Sequence, residues 1–135
     1  MIRLIVIFIF SFSALHAQVT MEVNPPYHQI PDAPTDYSIQ TVLARMIDGL
    51  WYRYYWATKN LREEDLNYNP GNESRPTRDV LDHIYALCSL ILKSVEAEPI
   101  IRPSPKEEMT WPEKRSKTLE KLKTASDLLL SLIHI

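Results

Sequence analysis

Apolar positions return at steps of three and four in three separate stretches of the chain, which is the repeat of a helix and not of a strand. In the first stretch, from about Tyr37 to Asn60, Ile39, Leu43, Met46, Leu50, Tyr54 and Ala57 recur, with Leu61 just beyond, and Asp36 is placed to cap the start. Its second half, Trp51-Tyr52-Arg53-Tyr54-Tyr55-Trp56, is aromatic all round, so some rings must pack on other elements or line a cavity; core and rim packing is the simpler reading. The second stretch, from about Thr77 to Ala97, carries Val80, Ile84, Leu87, Ile91 and Val95, widened by Leu81, Cys88 and Leu92. Thr77 is its expected N-cap, and Asp79 favours the first turn through the helix dipole. The third opens on a capping box of Thr110 and Glu113 with Pro112 in the first turn, and continues through Leu119, Leu122, Ser126 and Leu129. Lys and Glu fill its outer face, which reads as solvated. Period-two alternation between turn residues is absent, so the expected class is all-α, an up-down helical bundle.

The connections are marked by turn formers. Glu63 to Pro76 holds Asn67, Asn69, Pro70, Gly71, Asn72 and Pro76 and reads as a loop. Asn72-Glu73-Ser74 has the pattern of an N-glycosylation acceptor. Pro99, Pro103 and Pro105 end the second helix and hold the next loop open. Residues 18–35, with Pro25, Pro26, Pro31 and Pro34, read as an extended, proline-rich leader over the surface of a helical domain spanning 36–135.

Residues 1–17 have the layout of a secretory signal peptide: Arg3, an unbroken apolar run from Leu4 to Phe10, then small residues leading to Ala17. Cleavage is expected between Ala17 and Gln18, with Ala14 marking the other plausible junction. The run is shorter than the roughly 20 residues that span a bilayer. A mature protein that is periplasmic or secreted, with no transmembrane helix, is the expectation.

Composition narrows the chemistry. Hydrophobic residues make up 45% of the 135 and charged residues 24%, which suits one small globular domain. Two glycines fit long helices with few tight turns. A net charge of −2 offers no broad basic surface for nucleic acid. A single cysteine, Cys88, excludes an internal disulfide and a multi-cysteine zinc site; on an apolar stripe with no cationic neighbour it reads as an inert buried thiol. His83 lies three residues after Val80 and four before Leu87, on the flank of the second helix's stripe. By position alone it reads as a hydrogen-bonded structural histidine, since one imidazole cannot hold a metal without two or three further ligands.

The order and spacing of several segments give His83 a second reading. Trp51-Tyr52-Arg53-Tyr54-Tyr55-Trp56-Ala57-Thr58, then Leu61-Arg62-Glu63-Glu64-Asp65-Leu66, the loop Asn67-Tyr68-Asn69-Pro70, and Thr77-Arg78-Asp79-Val80-Leu81-Asp82-His83-Ile84 together resemble the DinB-like family of metal-binding four-helix bundles. The resemblance covers about 60 residues well and the third helix loosely. It implies that His83 is the first of three histidine ligands to a divalent metal, zinc or nickel, with a His-x-x-x-His pair on a fourth helix completing the site. No such pair occurs in this sequence, so three of the family's helices are expected and the chain is not expected to hold the ion stably. The family's activities are metal-assisted transfers or isomerisations involving low-molecular-weight thiols, which implies a small-molecule substrate. The competing expectation is a non-catalytic helical interaction or structural module in the periplasm, whose aromatic first helix forms a partner surface, with a homodimer as one form of it.

The last residues, Leu128 to Ile135, are almost wholly apolar, without the Gly, Asn or cationic turn that ends most helices. Leu130-Ser131-Leu132-Ile133-His134-Ile135 also matches one reading frame of a transposase sequencing adapter. Residues 130–135 are therefore expected not to be natural sequence, His134 is not a candidate ligand, and the natural chain is expected to continue into a fourth helix. Without it, the apolar faces of three helices stay partly exposed.

Overall fold

A computed structural model describes residues 26–71, 73–102 and 107–132. The expected signal peptide, the first part of the expected leader, Asn72 of the glycosylation pattern and residues 133–135, including His134, lie outside them. Every element among the described residues is a helix: α1 (Ile39–Thr58), α2 (Glu63–Leu66), α3 (Thr77–Val95) and α4 (Trp111–Ser131). None is long and apolar enough to cross a membrane.

Local hydrogen bonding sets the helix boundaries. Ser38, not Asp36, caps α1. The Thr41 N–H donates to Ser38 Oγ (3.2 Å) and the Ser38 N–H donates to Thr41 Oγ1 (2.7 Å), so two otherwise orphaned donors are satisfied reciprocally. The far end of α1 is closed by Arg115 of α4, which donates to Thr58 Oγ1 (2.9 Å) and the Tyr55 carbonyl (2.8 Å) while its guanidinium stacks 4.7 Å over the Tyr55 ring. The stretch read as a loop from Glu63 begins instead with the one-turn helix α2. Three acidic residues sit at its positive end, and the Arg62 N–H donates to the Asp65 carboxylate (2.9 Å). Leu66, at its end, is 1% exposed and plugs the core. Pro76 takes the N-cap position of α3 in place of Thr77, whose N–H and hydroxyl instead donate to the Tyr68 carbonyl (2.9 and 3.3 Å). The capping arm of α4 is as the sequence indicates: Glu113 accepts from the N–H (2.8 Å) and the hydroxyl (2.7 Å) of Thr110, and these bonds hold its carboxyl below the usual range.

α4 packs along both α1 and α3, whereas α1 and α3 do not pack on each other. Arg115 meets the C-terminal end of α1, so α1 and α4 are antiparallel. Asp82 pairs with Lys114 (2.6 Å) and Ser89 with Lys121 (2.8 Å), so α3 and α4 are parallel. The three long helices therefore run up, down and down, where strict alternation was the expectation. The fifteen residues 96–110 make this possible: extended, they could reach roughly 50 Å, against about 28 Å for the length of α3.

The core is the seam of α4. Leu119 and Leu122 are fully buried against Trp51, Tyr54 and Tyr55 of α1 and Leu81 and Cys88 of α3. Cys88 is 0% exposed and burial pushes its thiol up to about 12, as an inert core cysteine requires. The aliphatic stripe of α1 does not join this core. The buried residues of α1 are Thr41, Ala44, Asp48, Trp51, Tyr54, Tyr55 and Thr58, while Ile39, Leu43, Met46 and Leu50 are exposed. The stripe of α3 divides in the same way, with Leu81 and Cys88 buried and Val80 and Leu87 exposed.

The leader enters the core at one point. Tyr27 is 5% exposed, beside Asp48 and Ser126, in the left-handed region (φ 67°). That conformation costs a non-glycine residue about 1–3 kcal/mol. The Tyr27 hydroxyl and His28 Nδ1 are buried without a hydrogen-bond partner, and each such atom costs roughly 1–3 kcal/mol.

α3 ends in a Schellman motif: the Glu98 N–H donates to the Lys93 carbonyl (2.9 Å) and the Ala97 N–H to that of Ser94 (3.4 Å). Ala97 sits at the left-handed position (φ 56°) that favours glycine. Ala97→Gly is expected to raise stability by up to about 1 kcal/mol, read as a higher urea midpoint with unchanged slope. Leu122→Ala is expected to cost roughly 2–5 kcal/mol in the same titration.

Candidate functional site

Because α4 holds α1 and α3 apart, their facing sides form an open groove of about 850 Å³. One wall is Leu43, Met46 and Leu50 of α1; the other is Leu87, Leu90 and Ile91 of α3; Leu129 and Trp51 contribute from the α4 side. Met46 is 66% exposed and Leu50 56%. Contiguous apolar surface of this kind marks a place where something docks. No Asp or Glu lines the groove, and its cations are Arg45 and Arg53. Arg45 donates to the Pro31 carbonyl (2.6 Å) and Arg53 to that of Gly49 (3.2 Å).

His83 is exposed, and it forms no hydrogen bond to another described residue. It precedes Leu87 by four residues, Leu90 by seven and Ser94 by eleven, so it lies on the stripe of α3 that lines the groove, one turn beyond the groove's described wall. Among the described residues no three His, Cys, Asp or Glu side chains come together as a metal site. The adjacent Asp82 is turned to α4 by its pair with Lys114 (2.6 Å). The fold thus sets His83 on the helical stripe beside an apolar groove.

Comparison with known protein families, with curated proteins and with solved structures finds no match to this chain.

The aromatic run of α1 serves packing in the main. Trp51, Tyr54 and Tyr55 are buried, and burial pushes the Tyr54 phenol up to about 12. Trp56 is 45% exposed, with the Lys59 ammonium 4.6 Å from its ring. Two features escaped the helical spacing. The groove arises from how the helices pair, and buried Asp48, 3% exposed, occupies a position where a carboxylate gives no apolar signal. The groove did have a trace in the sequence: the apolar arc of α1 is too wide for a single partner.

The folded chain is expected to bind an apolar fluorescent dye such as 1-anilinonaphthalene-8-sulfonate at this groove. Replacing Met46 and Leu50 together by Glu should abolish most of the enhancement and shift stability by only about 0.5 kcal/mol per site, since both side chains are solvent-facing. Fluorescence titration beside urea unfolding checks both.

Proposed function

We propose that this protein is an exported, DinB-type, divalent-metal-dependent enzyme acting in thiol-linked transfer or isomerisation, with His83 as one metal ligand and the others supplied from outside this sequence, on a fourth helix. The observation that carries the reading is the place of His83 on the groove-lining stripe of α3. A helix laid between α1 and α3 would cover their exposed aliphatic residues and run past His83. Two histidines four residues apart on it would face one ion. Zinc or nickel fits an imidazole set, and a bound ion would lower the pKa of a coordinated thiol. Arg53, the groove cation on the fourth turn of α1, is available to an anionic substrate group.

A second reading is a non-catalytic helical interaction module in the periplasm. It is favoured by the size and apolarity of the groove, which suit a docked helix without any metal. The encoded sequence downstream separates the two: a His-x-x-x-His pair on a helix supports the enzyme, and its absence supports the module.

The direct test is metal analysis of the full-length protein. About one equivalent of zinc or nickel is expected in the wild type and loss of most of it in His83→Ala, with helicity by circular dichroism unchanged. Equal metal content in the two proteins would remove His83 from the site.

A further inference from the structure

The segment from Pro26 to Pro31 crosses α1 and α4, and its attachment differs from that of every helix. Among the described residues, its only hydrogen-bonded backbone group is the Pro31 carbonyl, which accepts from Arg45 (2.6 Å). Two rings supply the rest of the hold. Tyr27 is inserted beside Asp48 and Ser126, and His28 meets the Tyr55 ring edge-on with centroids 5.7 Å apart. Opposing terms sit in the same residues. Tyr27 is held in the left-handed region, and both the Tyr27 hydroxyl and His28 Nδ1 are buried without a partner. The gain from burying one aromatic ring is thus set against strain and desolvation located in the ring-bearing residue itself and its neighbour.

The α4 seam also buries unpartnered polar atoms, Trp51 Nε1 and the Tyr54 hydroxyl, but its residues stand on long helices whose backbones are hydrogen-bonded along their length. Leu119, Leu122 and Cys88 are fully buried and lie among residues of α1, α3 and α4. We infer that residues 26–31 form a releasable strap, which detaches as a unit while the three long helices stay packed and opens the slot beneath Tyr27 to solvent. The slot is walled by Asp48 and Ser126, each 3% exposed with the strap in place, and Asp48 has no ion pair among the described residues. Release therefore presents an unpaired carboxylate at the surface.

Thiol alkylation tests this within one molecule. Ser126→Cys places a reporter under the strap, and the native Cys88 reports opening of the main core. Both rates are measured with iodoacetamide by peptide mass spectrometry and divided by the rates in the unfolded chain. The thiol at position 126 is expected to react at least tenfold faster than Cys88 and to keep that rate in low urea, where Cys88 accelerates. Adding Tyr27→Ala should speed position 126 and leave Cys88 unchanged. The inference is overturned if the two thiols react at one rate and rise together with urea, or if Tyr27→Ala accelerates both thiols equally.

Discussion

One seam holds this fold together. Thr118, Leu119, Leu122, Ala125, Ser126 and Leu129 recur at three- and four-residue steps on α4 and are buried along its length. The seam faces α1 on one side and α3 on the other, and the backbones of those two helices stay apart. Each joins the fold only through α4, aided by α2, which is tied to α3 by the Arg78–Glu63 pair (2.6 Å) and sends Leu66 into the core. Arg115 then caps α1 from α4, so the same helix packs its partner and ends it.

The groove is the geometrical remainder of this arrangement. Three helices joined through a central one leave two outer helices with apolar surface facing a common space. That surface is continuous with the helical stripe bearing His83, which explains how an exposed histidine can belong to an apolar face. Two of the ion pairs look outward. Lys117 pairs with Glu107 (3.3 Å) and Lys123 with Asp127 (2.5 Å), both at the surface, where such pairs add about 0–1 kcal/mol each. Affinity for a partner would therefore come from apolar burial in the groove far more than from charge.

Much of this was legible in the sequence. The all-helical class, the first two long helices within two residues of the expected ends, the start of the third, the Thr110–Glu113 capping arm, the buried Cys88 and the seam of α4 follow from local spacing and capping chemistry. What was not legible depends on how helices pair. Ile39, Leu43, Met46 and Leu50 recur as regularly as any core stripe, yet they stay outside the core, the last three lining the groove, because Trp51 and Tyr55 offer α4 more area to bury. The parallel course of α3 and α4 follows from a long connection whose path no local pattern fixes. α2 was hidden by the density of turn formers after it. Tyr27 lies in a proline-rich stretch that gives no core signal, and only tertiary packing draws it inside.

The central physical claim is that the aliphatic faces of α1 and α3 stand open while the α4 seam is sealed. Solvent paramagnetic relaxation on methyl-labelled protein reads this side chain by side chain, using a soluble gadolinium chelate. Met46, Leu50 and Leu87 should be strongly relaxed, and Leu119 and Leu122 protected. Equal protection of Met46, Leu50 and Leu122 would contradict the open groove and, with it, the arrangement of three helices about α4.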